Sequence, residues 1–258
     1  MLGAIGSVLR RSVARAAKRP GPPRLFALNR MVEILLHNVH RFDLVWPRFM
    51  DNMADVLGNP AEPLRAAGLE ALDRAVVGVI GVLRDPGFAG GAGSEGVARV
   101  EHSVLLELER LFRSAETEDL RAGSLRVLFN ALQRHGEQLT EGWDPVLDLL
   151  EAVAKGSSGA LIGPAFKSLQ LLCSDFAGSI PPRHMARCIE VAAGYGLQSF
   201  DVNVSLTAMS VLWSLADTFG RVWAKQMSAG AASPGSGPLP PPIGAPEPTT
   251  ATVAGKET

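Results

Sequence analysis

Apolar residues through the body of the chain recur three and four positions apart, the spacing of one face of an α-helix. Leu28, Met31, Leu35 and Val39 make the first such stripe and predict a helix from about Leu25 to Phe42. A second helix begins at Asp43, carries Trp46, Phe49, Met53 and Val56 inward, and is stopped by Gly58-Asn59-Pro60. Leu64, Leu72, Val76 and Ile80 place the buried face of a third over Glu62 to about Arg84. Further stripes predict helices over 97–115, 117–135, 143–154, 158–176, 182–195 and 200–223. Glu118 and Asp119 favour the first turn after Thr117 electrostatically, although no Glu or Gln completes a capping box there.

These helices repeat. Leu64-Arg65, Gly68 and Leu72 return as Leu120-Arg121, Ser124 and Leu128, then as Leu161-Ile162, Ala165 and Leu169, and more weakly from Val202-Asn203. The second, third and fourth copies stand 41 residues apart, and the first offset is 56. A period near 40 is the mark of stacked antiparallel helix pairs, each unable to bury its apolar face alone. The expected fold is all-α, a HEAT/armadillo-like α-solenoid of about four helix pairs plus an N-terminal helix. Asp85 to Gly96, rich in glycine, reads as a flexible insertion that lengthens the first offset. Trp143, Trp213 and Trp223 fall at helical positions and are expected to fill the core between repeats.

The ends differ from the body, which is assigned to 25–225. Residues 1–24 carry Arg10, Arg11, Arg15, Lys18, Arg19 and Arg24 with no acid, so the net charge of -1 hides a strongly basic leader. Leu2, Ile5, Leu9 and Val13 are spaced for an amphipathic helix, a composition shared by organelle transit peptides, membrane-surface anchors and plain leaders. Residues 226–258 are mostly small residues and proline with no aromatic side chain, and read as a disordered tail with a short polyproline run. No basic stripe of the kind nucleic acid requires runs through the body. No run of about 20 apolar residues suits a transmembrane helix. Cys173 and Cys188 are too few for a disulfide framework and are expected as reduced core thiols.

Chemistry-bearing patterns are sparse. Gly91-Ala-Gly-Ser-Glu-Gly96 fits the dinucleotide string GxGxxG, and the Val76 to Leu83 run before it passes for a buried strand. Yet Arg84 to Gly90 intervene, whereas the phosphate-binding mechanism needs the first glycine directly after a strand. His37 and His40 are spaced for neighbouring helical turns but lack a completing ligand. No nucleophile stands with its base in a known motif. No catalytic, cofactor-binding or metal residue is therefore nominated, and no cofactor is expected. Arg121, Lys167 and Asn203, on the second helices of their pairs, are the candidate partner-facing residues.

The run Leu139 to Val153 around Trp143-Asp144-Pro145, followed by Leu161 to Phe176, resembles the middle of the MON-two family. Asp201 to Asp217, with Ala208-Met209-Ser210-Val211-Leu212-Trp213, resembles the same family, and Val32 to Trp46 is similar to its upstream helix pair. The likeness covers roughly 25–222. Gly163 stands where family members tend to place Arg, and the glycine segment at 85–96 interrupts the first repeat. The resemblance implies a non-enzymatic scaffold of vesicle-mediated protein transport, cytoplasmic and peripheral to trans-Golgi and endosome membranes. It is related to large Arf exchange factors but lacks their exchange domain. The implied partners are a Dopey-type protein, Arf-family GTPases and a peripheral membrane surface, with no nucleic acid. Family members are far longer, so the chain reads as a fragment. The competing expectations are an organelle-targeted nucleotide-binding enzyme using Gly91–Gly96, or a helical protein imported into mitochondria or plastids.

Overall fold

The computed structural model describes residues 3, 6–8, 11, 26–156 and 158–231, without the side chains of 89–92 and 225–231. Most of the basic leader and the polyproline run lie outside the described residues. From Phe26 onward these residues form nine α-helices and no strand. They are α1 Phe26–His37, α2 Phe42–Leu57, α3 Glu62–Leu83, α4 Pro86–Ser114, α5 Glu118–His135, α6 Trp143–Ala154, α7 Gly159–Ser174, α8 Pro182–Leu197 and α9 Val202–Ala231. The chain divides into two units, Met1–Phe219, which carries the array, and Gly220–Thr258.

Within the first unit the helices make two layers. In one, α1, α3, α5 and α7 stack in order; in the other, α4, α6 and α8 do, and sequential helices cross between layers. An ion pair from Asp43 to Arg99, 3.0 Å, links α2 to α4. This is the expected α-solenoid, with α2–α3, α4–α5, α6–α7 and α8–α9 as its four pairs and α1 leading. Small residues, Ala67, Gly68, Ala71 and Ala75 on α3 and Gly123, Ser124 and Ala131 on α5, are buried between helices; Gly68 lies against Val56 and Leu57 of α2, and Gly123 against Leu69 of α3. Phe49, Met53, Trp143 and Tyr195 are fully enclosed in one continuous apolar core, which α9 joins through Val204, Ala208, Val211 and Leu215. Tyr195 also donates to the Leu150 carbonyl at 2.9 Å, tying α8 to α6.

Several expectations change. Residues 85–96 are not a continuous loop, because Asp85 and Pro86 start a helix. The Asp85 carboxylate accepts the Gly87 N–H at 2.7 Å as an N-cap, and Pro86 fills a position whose N–H would have no partner. The helix is broken at Gly93, whose φ of 70° suits glycine best. The helix α9 extends to Ala231, past the 226 boundary expected for a disordered tail. Trp143 is buried as expected, but Trp213 and Trp223 are 77% and 68% exposed. The fourth repeat is also out of register. Thr117 and Ser158 precede α5 and α7 by one residue, 41 apart, whereas Asp201 caps α9 43 residues after Ser158. Asn203, paired by sequence with the buried Ile162, is accordingly exposed.

Cys173 on α7 and Cys188 on α8 are free and buried, as the sequence implied. Burial pushes both thiols up, Cys188 to about 12, with Cys188 adding to the effect at Cys173. Since the thiolate is the reactive form, neither should react with Ellman's reagent at pH 7.5 in the folded protein. Both should react in urea; thiol titration before and after unfolding checks this, and fast native labelling would contradict it.

Candidate partner-binding surface

The most heavily bonded polar group in the array is Glu101, whose side chain is fully buried on α4 among Val97, Val100, Val104 and Leu105. Its Oε1 accepts the consecutive backbone N–H groups of Thr140, Glu141 and Gly142 at 2.8, 2.9 and 2.7 Å. The Thr140 hydroxyl lies 3.3 Å from each carboxylate oxygen, and Oε2 pairs with Arg84, at the end of α3. These amides lead into α6, where a helix start leaves N–H groups without partners and favours negative charge. Gly142 keeps this approach open: a Cβ there would overlap the end of the Leu105 side chain and stand 3.1 Å from Glu101 Oε1. One carboxylate thus joins the first pair, the second pair and the start of the third.

Other polar contacts span the junctions with sequence separations close to the repeat itself. In the odd-numbered layer, Arg65 meets Asp119 at 2.7 Å and Asn130 donates to Asp73 at 2.9 Å. Further along that layer, Ser158 donates to Glu118 at 2.5 Å. In the even-numbered layer, Arg183 meets Glu141 at 2.5 Å, and Arg187 bridges Asp148 and Glu151, the latter at 2.7 Å. A hydrogen bond from Thr117, with the Arg65 pair, holds the Asp119 carboxyl below its usual range. Lys155 and Arg187 do the same for Glu151.

His184 of α8 is buried at this junction. Its Nε2 accepts from Arg183 Nε at 2.9 Å, its Nδ1 is 3.2 Å from Asp144, and its ring stacks on Trp143 at 6.2 Å. An imidazole that accepts at Nε2 is neutral. Burial, with Arg183 and Arg187 nearby, outweighs the pull of Asp144 and Glu141 and lowers its proton affinity. Burial and the charge of Arg84 lower His135 in the same direction.

The sequence-nominated residues do not form one cluster. Arg121 is half-buried on α5 and donates through Nε to the Ala115 carbonyl at 3.1 Å, so it braces the turn before its helix. Lys167 on α7 and Asn203 on α9 are exposed, but at different positions after their caps, so they do not recur at one register. His37 ends α1 with Nδ1 2.8 Å from the Glu33 carbonyl, while His40 lies in the following short turn. Among the described residues no group of three or more His, Cys, Asp or Glu is placed to hold a metal. The Val76 to Leu83 run is helix, so the strand that a dinucleotide fingerprint needs before its glycines is not there. A cleft of about 690 Å³ does open beside the glycine segment, lined by Arg84, Ser94, Glu95, Thr140 and Glu141 among others. The junction residues Glu101, Arg84, Arg183 and Arg187 were missed. The one available signal was Glu101 itself, an acid set among valines on the inward face of a helix.

A two-layer helical array pinned by buried and bridging polar contacts is a protein of the repeat-scaffold class, which offers surfaces to partners. Residues 98–171, from within α4 into α7, match the family model described as Sec7-like HDS, Mon2/Sec7/BIG1-like. The chain is 29% identical over 197 residues to Protein MON2 homolog of Xenopus laevis, covering 76% of this chain and 11% of that protein. It is 28% identical over 197 residues to Protein MON2 homolog of Homo sapiens, with the same coverage. Over 108 residues it is 32% identical to the Schizosaccharomyces pombe MON2 homolog, covering 39% of this chain and 7% of that protein. No solved structure matches. The chain is therefore homologous to MON2 proteins and spans about a tenth of the length of these relatives.

Two outcomes follow from the junctions. Glu101→Ala leaves Arg84 and three amides without their acceptor; removing one member of a buried pair costs about 3–5 kcal/mol, to be read as a lower urea midpoint. Second, His135 and His184 bind protons less readily folded than unfolded, so stability falls as pH drops from about 6.5 through their folded values. The loss continues as Asp119 and Glu151 protonate below about 4. Replacing His184 with Gln should flatten the first part of urea-midpoint-against-pH data; an unchanged slope would remove His184 as its source.

Proposed function

We propose that this chain is a non-enzymatic helical-repeat segment of a MON2-type scaffold in vesicle-mediated protein transport at the trans-Golgi network and endosomes. The supporting observations are similarity to MON2 homologues over 197 residues, a family-model match over residues 98–171, and a continuous two-layer array. Such an array works by holding an extended surface rigid, so that partner contacts spread along several helices act together. A Dopey-type protein is the proposed partner, with Arf-family GTPases and a peripheral membrane contact as further candidates. No described helix is long and apolar enough to cross a membrane. Lys167 and Asn203 are exposed for direct contact, whereas Arg121 would act by bracing its turn.

The test is recovery of a Dopey-type partner by the tagged full chain, together with imaging against trans-Golgi and endosome markers. Co-recovery and a trans-Golgi pattern are expected, and Lys167→Glu with Asn203→Ala should reduce recovery severalfold while leaving the helical spectrum intact. Accumulation in mitochondria or plastids would overturn the reading. So would saturable binding of NAD or ATP that is lost in Gly91→Ala with Gly93→Ala.

A further inference from the structure

We infer that residues 2–13 of the basic leader dock as a helix on α2 and serve as the first member of the pair that α1 closes. Gly3, Gly6, Ser7, Val8 and Arg11 are helical, and Arg11 Nε donates to the Ser7 carbonyl at 3.3 Å. Gly6 is buried, whereas Gly3, Val8 and Arg11 are exposed. Gly6 stands directly on α2: a Cβ there would overlap Asn52 Oδ1 and lie 3.1 Å from its Cγ. Asn52 is 6% exposed, and its Nδ2 donates to the Arg48 carbonyl at 2.6 Å, so the amide is held in place. Its Oδ1 is buried without a donor among the described residues. A polar atom in that state is covered by chain rather than turned to water, and the chain that lies on it is the leader at Gly6.

The leader's own pattern matches this contact. On a helix, Leu2, Leu9 and Val13 stand four, three and seven positions from Gly6 and so share its face, with Ile5 at the edge. Val8, Arg11 and Arg15 fall on the opposite side. The exposure of Val8 and Arg11 and the burial of Gly6 therefore set the apolar stripe toward α2 and the basic residues toward solvent. On α2, Asn52 shares its face with Val45, Phe49 and Val56, all buried.

The position also fits the order of the array. The pairs α2–α3, α4–α5 and α6–α7 each open with an even-layer helix and close with an odd-layer one. The helix α1 stacks on α3 in the odd layer, so it is a closing helix, and the leader supplies the opening one. Beyond the glycine segment, polar contacts along the even layer join residues 41, 42 and 39 apart. Gly6 and Asn52 are 46 apart, which sets the leader one repeat ahead of α2. Gly6 also belongs to the same compact unit as the array. A terminal repeat that is polar outward is what a stacked array needs at its end. A transit peptide or surface anchor needs the same apolar stripe free.

Hydrogen exchange of the full chain is the test, because exchange reports local opening segment by segment. Amides of residues 2–13 should exchange at least tenfold more slowly than in the urea-unfolded chain. Leu9→Glu plus Val13→Glu should abolish that protection and speed exchange in Phe42–Leu57, leaving Trp143–Ala154 unchanged. Leu9→Ser plus Val13→Ser gives the same readout if the charged pair disturbs the whole array, and Arg11→Gln plus Arg15→Gln should behave as the parent does. Exchange of residues 2–13 at the unfolded rate in the parent would overturn the inference. So would protection that survives both stripe variants, or its loss without any change in Phe42–Leu57.

Discussion

Each helical hairpin in this chain has more apolar surface than its own two helices can cover, and everything else in the array answers to that excess. Gly123 of α5 lies against Leu69 of α3, and Gly68 of α3 lies against Val56 and Leu57 of α2, so glycine leaves room at these junctions for a neighbour's large apolar side chain. Stability in such an array is nearest-neighbour in character. A defect at one junction weakens the stack there, and the polar groups at the junctions fix the register that apolar packing alone leaves loose.

Glu101 illustrates how that register is held. A buried carboxylate is tolerated only when its lone pairs are occupied, and here three consecutive amides, a hydroxyl and a guanidinium occupy them. Those donors come from α3 and from the approach to α6, so the charge is satisfied only when both neighbours are in place. The exposed junction pairs are a different matter. Arg99 with Asp43 and Arg183 with Glu141 are half or more exposed, and pairs of that kind contribute about 0–1 kcal/mol each. Their shared separation, near one repeat length, is a consequence of the stacking rather than its cause.

Much of the fold was legible because apolar spacing and repeat period are both printed directly in the sequence. The helix Trp143–Ala154 has the limits its stripe predicts, and the four pairs appear in order. The misses have physical reasons. In Asp85-Pro86-Gly87 a start signal precedes a glycine run, and composition hides the cap that the Asp85 carboxylate makes. Residue similarity pairs Asn203 with Ile162, whereas the caps Ser158 and Asp201 do not keep that spacing, and the two extra residues lie between α7 and α9. Trp213 has the hydrophobicity of a core residue but is exposed, because spacing does not tell which side of a helix has a neighbour. Of the candidate surface residues, Lys167 and Asn203 reach solvent, while Arg121 is engaged with a backbone carbonyl.

The junction contacts limit where a partner can bind. Arg65, Arg84, Arg183 and Arg187 all face carboxylates of another repeat, so their charge is largely spoken for within the array. A partner that relied on those cations would have to displace an internal acceptor, and at Arg84 that acceptor is Glu101, whose loss also frees three amides. Recognition that leaves the stack intact must use side chains outside the junctions, such as Lys167, or surface that the array does not cover. Rigid spacing between such side chains, set by the repeat, is what a scaffold of this architecture contributes to binding.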